Sequence, residues 1–486
     1  MYYSGSCLFL QFFMRTEDPR FLAPYTKLLR SSGARAFDLR PAVEREFPRF
    51  PLSPEQARKI WAGFLARRGT ISPKMYIHIP YCRSHCAYCK YKSGLLPAEG
   101  MGGYLKTLSD HAKFYAPVFS GTEFSSLYIG GGTPSLMSPR QIRSFFPALK
   151  RMYRFSRGSA SSFELNLNDA GPAIFDALKE TGFNRVSIGV QTLNARVLAG
   201  SNRGHYPVAP ETAVREARRR GFRFINLDLI LGLKNDTPSS AARSLEQCLA
   251  SGASGVTLYK LHAQPGSHPG KGALGATRFG AIKLETRVLP KLRSLSESYG
   301  YRMRESMSCF EFIQAGGPSP AFAESLRRMF EEGRPVFGLG RYSISSIFGV
   351  IEYEDLHGPG PHSHLSLSGL LRPLTGEISK FMCKDFIRNG YSAGLDAFKS
   401  RFKISFASYF GKRLLNLRAC GIGFTAGGAA RIASHDPALA AAAVLYLLDK
   451  NGDILRAAAA GGRSPSWTLG AGTARPAKTR KAAQGE

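Results

Sequence analysis

Residues 76–94 read YIHIPYCRSHCAYCKYKSG. A short apolar, β-prone run from Met75 to Ile79 ends at Pro80, and Cys82, Cys86 and Cys89 follow at once in C-x3-C-x2-C spacing. A strand that stops at proline and turns directly into a cysteine loop suits a site at the C-terminal mouth of a parallel sheet. Three is the informative number of cysteines. A structural zinc or an ordinary electron-transfer cluster usually takes four protein ligands. Three thiolates on a four-iron cluster would leave one iron for an outside ligand. A zinc knuckle completed by His78 or His85 is the other reading, and spacing alone serves both metals.

From Lys74 to about Gly300 a pattern repeats: a short β-branched or apolar run, a turn, then a helical stretch. The runs are Met75–Ile79, Ser126–Ile129, Ser162–Leu167, Arg185–Val190, Phe224–Leu231 and Gly255–Leu261. The stretches between them are Tyr104–Val118, Pro139–Met152, Gly171–Glu180, Pro210–Arg220 and Ser239–Ala250. Such alternation predicts an α/β fold with a parallel sheet and right-handed crossovers. Chemistry then belongs at the strand C-termini and the loops after them. The motifs fall there: GGGTPS at 130–135, FELNLND at 163–169, GFNRVSIGVQTLN at 182–194, SNRGHY at 201–206 and NLDLILGL at 226–233. Consecutive glycines let backbone amides approach a small ligand closely.

Taken with these motifs, Y-x-H-I-P-Y-C-x3-C-x-Y-C closely resembles the cluster loop of the radical S-adenosylmethionine (SAM) enzymes. Within them it is similar to the oxygen-independent coproporphyrinogen III oxidase-like family. The resemblance implies a partial, open (β/α)6 TIM-like barrel with a mostly helical, winged-helix-like C-terminal domain. It implies a [4Fe–4S] cluster on Cys82, Cys86 and Cys89, with SAM chelating the open iron; one SAM is expected, or two as in the branch that methylates or cyclises carbon centres. Carried over residue by residue, Gly131, Gly132 and Thr133 would receive the SAM amino group, and Glu164 would help orient SAM. Gln191 and Arg203 would contact its ribose and carboxylate, Asp228 a ribose hydroxyl, and Ile230 the adenine. Tyr76 would sit against the sulfonium as the catalytic tyrosine, and the backbone around Tyr88–Lys90 would receive adenine. Two departures stand out: Leu167 replaces the family's proline after Glu-x-Asn, and Lys234–Asn235–Asp236–Thr237 replaces Pro-Gly-Gln-Thr.

The chain has 486 residues, enough for a barrel and a second domain, and 43% of them are apolar. No apolar run approaches the ~20 residues that span a bilayer. Cys7–Met14 lacks the basic start and cleavage site of a signal peptide, and MRTEDPR from Met14 reads as an ordinary beginning. Cys7, Cys248, Cys309, Cys383 and Cys420 are scattered singly, which suits reduced thiols in a cytoplasm. The net charge of +31 suits a polycarboxylate small-molecule substrate or an acidic electron donor such as a flavodoxin or ferredoxin. Nucleic acid is a minor reading, since no binding signature accompanies the dispersed charge.

The expected division is a lead-in over 1–70, the barrel over 71–300, a connecting segment over 301–365, a C-terminal domain over 366–450 and a disordered basic tail over 451–486. Pro51–Arg68 reads as a helix capped by Ser53. The resemblance fades after Gly266; Glu305–Phe310 and Phe337–Ser343 match family segments only in degraded form. FMCKDF at 381–386 resembles the C-terminal domain of the oxidases, and Phe424–Thr425–Gly427 its closing β-ribbon. Phe398, Phe402, Phe406 and Phe410 form a helical core stripe.

The resemblance implies an oxidoreductase that cleaves SAM reductively to methionine and a 5′-deoxyadenosyl radical. Decarboxylation of coproporphyrinogen III or related tetrapyrrole chemistry in porphyrin biosynthesis ranks first, on the C-terminal resemblance and the basic charge. A carbon methyltransferase or cyclopropanase follows, and a non-catalytic haem chaperone comes third. The chaperones' His-Asn-x-x-Tyr-Trp segment has no counterpart, and Trp61 and Trp467 are the two tryptophans. The oxidases' extra cysteine after the cluster loop is Tyr91 here.

Overall fold

The computed structural model describes residues 20–31, 49–68, 71–89, 91, 93–204, 206, 208–261, 278–305, 309–316, 333–356, 367–371, 373–386, 391–426, 428–432 and 437–449. Cys7–Met14, Lys90, His205, Gln264–Gly266, Gly427 and the tail from Arg456 to Glu486 lie outside the described residues.

The six apolar runs form strands β1 (Lys74–Ile79), β2 (Glu123–Gly131), β3 (Arg154–Asn166), β4 (Arg185–Gln191), β5 (Phe224–Leu231) and β6 (Gly255–Lys260). Each pairs in parallel with the next in chain order. Strands β2 and β3 start earlier than their apolar runs suggest. Glu123–Phe124 pair with Arg154–Phe155 before a register shift between Phe124 and Ser126.

Helices Gly102–Tyr115, Pro139–Met152, Pro172–Glu180, Pro210–Arg219 and Pro238–Ala250 lie between the strands. Four of them begin on proline, whose fixed φ suits a first turn and whose missing donor costs nothing there. The stretches expected to start at Gly171 and Ser239 therefore start at Pro172 and Pro238. Ser138 and Thr237 close capping boxes at two of these starts. Alternate strand residues face opposite ways. On β4, Val186, Ile188 and Val190 join the main hydrophobic core with Ile142, Phe146 and Phe175 from the helices. That leaves Ser187, Gly189 and Gln191 for the opposite, inner face.

The six-strand array is an open partial barrel. Beyond β6 the sheet continues antiparallel through Cys309–Gln314 to Tyr301–Glu305. On the far side of β1, Val336–Leu339 adds a further parallel strand. From there the sheet runs antiparallel through Ile344–Ile347, Ile351–Asp355 and Leu367–Leu371 to Phe50–Leu52. Residues 301–365, expected only to connect, thus supply strands on both flanks of the barrel. Leu367–Leu371, expected in the C-terminal domain, belongs to the same sheet.

The helix expected from Pro51 starts at Pro54, because Pro51 lies in an edge strand where its missing donor is tolerated. Ser53 caps it as expected: Gln56 N donates to Ser53 Oγ (3.2 Å), and Ser53 N donates to Gln56 Oε1 (2.7 Å).

A second hydrophobic core gathers residues from Ile378 to Leu447 and takes in Leu22, Tyr25 and Leu29 of helix Ala23–Ser31. Phe398, Phe402, Phe406 and Phe410 are all buried there. They do not share one helix. Helix Leu395–Phe402 ends at Lys403 in the left-handed region (φ 58°), and Ser405 caps the next, Phe406–Ala419. The rings meet across the break, with Phe398 and Phe406 centroids 5.0 Å apart. Strands Gly423–Ala426 and Ala429–Ile432 form the closing ribbon.

Phe337 joins the barrel to its flanking strand. It is fully buried, and its ring centroid lies 4.6 Å from Phe119, 5.7 Å from Trp61 and 5.2 Å from Tyr115. Trp61 Nε1 in turn donates to Tyr353 OH at 2.8 Å. Truncating Phe337 to alanine should cost about 3–5 kcal/mol. The measurement is the urea midpoint of unfolding, and a shift as small as that of a surface substitution would contradict this packing.

Candidate functional site

The cysteine loop leaves β1 at Pro80 and is fastened to the loop after β2 by backbone hydrogen bonds. Gly132 N donates to Ile79 O and Thr133 N to Tyr81 O, each at 2.7 Å. The contact is too close for side chains. A Cβ on Gly132 would stand 2.5 Å from Tyr81 O and 3.0 Å from Cys82 Sγ, and Gly131 has a φ of +119°. Thr133 Oγ1 donates to Cys82 Sγ at 3.4 Å. The 3₁₀ turn behind it, Pro134–Leu136, is tied down as well: Ser135 Oγ donates to Asp169 Oδ2 (2.6 Å), and Arg83 of the cysteine loop pairs with Asp169 Oδ1 (2.8 Å).

Arg203 fixes the other side of the loop. A short helix, Ala195–Gly200, capped by Asn194, delivers Ser201–Arg203 there. Ser201 O accepts from Ala87 N (3.0 Å), and Asn202 Nδ2 donates to His85 O (2.8 Å). The Arg203 fork reaches Tyr88 OH (3.2 Å) and Cys86 Sγ (3.7 Å) through Nη1. Through Nη2 it reaches Gly189 O (2.8 Å) and Asn166 Oδ1 (3.3 Å), and through Nε it reaches Tyr206 OH (2.7 Å). One guanidinium thus ties the cysteine loop to β3 and β4, a use that needs the planar fork. Tyr206 OH donates onward to Val190 O.

The inner face is polar and charged. Glu164 on β3 accepts from Tyr128 OH (2.6 Å) and Gly131 N (3.3 Å). Burial pushes its carboxyl up to about 7, against the pull of those hydrogen bonds and of Arg185, while Asp228 adds to the rise. Asp228 on β5 accepts from Ser187 Oγ (2.7 Å) and Asn226 Nδ2 (2.8 Å). Burial raises it too, with Ser187 and Arg185 opposing. Arg185 lies over the Tyr128 and Phe224 rings, at 5.9 and 5.7 Å, and its buried Nε has no hydrogen-bond partner. Among the described residues, Glu164, Asp228 and Arg185 therefore share the lumen. Tyr76 OH is hydrogen-bonded to His78 Nδ1 (2.8 Å), and burial raises its pKa. Gln191 takes a left-handed φ of 67°, and its Nε2 lies 2.8 Å from where a Cβ on Gly189 would stand. Ile230 pairs in register with Tyr259 across β5 and β6.

The structure thus brings together Tyr76, Cys82, Cys86, Tyr88, Cys89, Gly131, Gly132, Thr133, Glu164, Gln191, Arg203, Asp228 and Ile230 at or just below one mouth. The sequence motifs include Asp169, Arg185, Ser187, Tyr206 and Asn226 without giving them a role, and Tyr128 lies on a strand run with no motif of its own. Their signal was available in part, because Arg185, Ser187 and Asn226 alternate with core residues on their strands.

The three thiols fit a cluster with an open corner. Burial pushes the Cys89 thiol up, and the charges of Cys86 and Cys82 reach it and push the same way. The glycine cradle leaves room directly beside Cys82 Sγ. His78, offered above as a zinc ligand, points instead to Tyr76. Among the described residues no three His, Cys, Asp or Glu side chains converge as a single metal ion requires.

Residues 76–248 match the radical SAM superfamily. Over 198 residues the chain is 29% identical to Heme chaperone HemW of Mycobacterium tuberculosis, covering 40% of this chain and 50% of that protein. Over 180 residues it is 33% identical to the oxygen-independent coproporphyrinogen III oxidase of Pseudomonas aeruginosa, covering 36% of this chain and 39% of that one. The chain spans half or less of the length of these two relatives. The fold is that of the Escherichia coli coproporphyrinogen III oxidase HemN, with a TM-score of 0.66 at 21% identity over 86% of this chain and 98% of that one.

A partial barrel with three thiols beside a glycine cradle is the arrangement of a radical SAM domain, and residues 76–248 are such a domain. Within the superfamily, the relatives it resembles are oxygen-independent coproporphyrinogen III oxidases and the haem chaperone HemW. That superfamily match implies a [4Fe–4S] cluster and SAM as the cofactors of this domain.

The raised Glu164 pKa fixes a pH dependence. In the unfolded chain this carboxyl ionises near 4.5 and in the folded one near 7, so the folded state holds the extra proton between these values. The corresponding stability is complete below 4.5, falls as pH rises through 7, and amounts to about 3 kcal/mol at most. Cofactor-free Glu164→Gln should lack this fall. Parallel pH profiles of the urea midpoint for variant and wild type between pH 5 and 8 would contradict the burial described.

Proposed function

We propose that the chain is an oxidase-like radical SAM enzyme that removes a carboxyl group from a coproporphyrinogen III-like tetrapyrrole substrate. The carrying observation is the lumen below the thiols. Tyr76, Glu164, Arg185 and Asp228 line it with ionisable groups. A wall of this kind suits orientation and proton control more than passive storage of a flat apolar macrocycle. The identity to the oxidase and the net charge of +31 support the same reading.

Cys82, Cys86 and Cys89 would hold the cluster. Gly131, Gly132 and Thr133 would offer backbone groups to the SAM amino group, beside the Glu164 carboxylate. Gln191 and Arg203 would receive the ribose and carboxylate, and Asp228 a ribose hydroxyl. Ile230 and the segment around Tyr88 would pack on adenine, and Tyr76 would stand against the sulfonium. When bound, cluster and SAM supply an electron and a carbon radical that abstracts hydrogen from the substrate. Arg185 pulls the pKa values of Glu164 and Asp228 back down against the rise from burial. Arg203, already bonded to Tyr88 and Asn166, holds the loop in place before any ligand arrives. An acidic flavodoxin- or ferredoxin-like donor suits the basic surface, and a reducing cytoplasm suits the chemistry.

The second reading is haem delivery, favoured by the 29% identity to HemW. Carbon alkylation ranks below both, since the relatives above are an oxidase and a chaperone. Anaerobically reconstituted protein given SAM, dithionite and coproporphyrinogen III should release 5′-deoxyadenosine and carbon dioxide. Replacing any of the three cysteines by alanine should remove the iron–sulfur absorption and lower 5′-deoxyadenosine release by about 100-fold or more. Stoichiometric haem binding with neither product would overturn the enzymatic reading in favour of the chaperone.

A further inference from the structure

The strand Val336–Leu339 places one cation at the mouth that no cofactor role uses. It runs parallel to β1 with Leu339 opposite Ile77. Arg341 follows two residues on, in the turn that leaves this strand at the end where β1 runs into the cysteine loop. The turn that carries it is held firmly. Ser343 N donates to Gly340 O (2.9 Å), Tyr342 N to Asp355 O (2.7 Å), and Asp355 N to Ser343 O (3.0 Å). Tyr342 takes a left-handed φ of 67°, a conformation a bulky residue adopts only where its surroundings impose it. Its ring meets His78 edge-on at 6.4 Å, and the Arg341 guanidinium lies 4.6 Å over that ring. The charge of Arg341 is felt at Tyr81, the residue before Cys82.

This guanidinium is poorly satisfied. Arg341 Nε is shielded from solvent and has no hydrogen-bond partner among the described residues, and neither has Ser343 Oγ on the same turn. Glu99 and Asp355 carry the acidic charges that reach Tyr81 and Tyr104 at this corner, and neither carboxylate bonds that Nε. A shielded donor without an acceptor costs free energy that a ligand can return. The planar fork fits a carboxylate in a bidentate manner, and stacking on Tyr342 fixes its plane. Arg203, by contrast, is bonded through all three of its nitrogens to protein groups and belongs to the cofactor set above.

We propose that Arg341 is the anchor for a carboxylate of the substrate, holding an acid arm of the macrocycle at the mouth beside Tyr81. The proposal rests on the tetrapyrrole reading above and names the residue through which that substrate would be selected. It involves no bond-making step.

The test is equilibrium binding to the reconstituted holoprotein, read by fluorescence, of two probes: coproporphyrin III free acid and its fully esterified form. Wild type should prefer the acid. Arg341→Gln should weaken the acid by about tenfold to a hundredfold and leave the ester where it was, abolishing the preference. Should Arg341→Gln hold neither probe, Arg341→Lys decides. A preference reduced by losing the fork while keeping the charge supports the anchor, and an undiminished one overturns it. A wild-type protein that binds acid and ester equally, or a Gln variant that keeps the full preference, overturns the anchor and leaves the tetrapyrrole reading standing. Wild type that binds neither probe overturns both.

Discussion

Two adjacent loops at the barrel mouth share a backbone seam, and that seam constrains everything around it. The amides of Gly132 and Thr133 bond the carbonyls of Ile79 and Tyr81, closely enough that a single methyl group at position 132 would strike both a carbonyl oxygen and the Cys82 sulfur. The position of the first thiol is therefore set by β-strand register, because the loops spring from paired strands with Ile79 opposite Gly131. A loop fixed by side chains alone would lose its geometry with one substitution. A loop fixed by backbone on one side and by the Arg203 fork on the other has two independent restraints, one steric and one electrostatic.

Charge is arranged on the same principle. Glu164 and Asp228 are half-buried carboxylates whose hydrogen-bond donors are neutral: a tyrosine, a serine, an asparagine and a backbone amide. Arg185 supplies charge without a direct bond to either, across aromatic rings. Neutral donors hold a carboxylate in place but leave it capacity to accept a cationic ligand, whereas a direct ion pair would have consumed it. The cost is a carboxyl with a raised pKa, and such perturbed groups gather at functional sites.

The parts legible in the sequence were those with short-range signatures. The cysteine spacing, the glycine triplet and the six strand–helix repeats each declare themselves within a dozen residues. What was missed depends on partners far apart in the chain. The Val336–Leu339 strand is four residues with a glycine inside, and it exists because β1 offers a free edge. Phe50–Leu52 contains a proline and reads as a helix lead-in, yet it pairs with Leu367–Leu371 more than 300 residues away. The break at Lys403 is invisible to periodicity, since four-residue spacing of phenylalanines continues straight through it. Arg203 was found by its motif, but its partners Tyr88, Asn166 and Gly189 come from three other elements.

The division of labour along the chain follows from this. Residues 76–248, the stretch that matches the superfamily, contain the thiols, the glycine cradle, both lumen carboxylates and their donors. Nothing in that stretch needs to know the substrate. The flanking strands, Val336–Leu339 on one side and Cys309–Gln314 on the other, bound the opening left by an unclosed barrel. They are also where the family resemblance fades. In an open barrel the gap is filled by whatever those flanks present, so selectivity can change there without disturbing the seam at Gly132 or the fork of Arg203. The turn 340–343 meets that requirement: it is braced by Asp355 on its own side of the sheet and meets the cofactor half at the His78 ring and through the strand register.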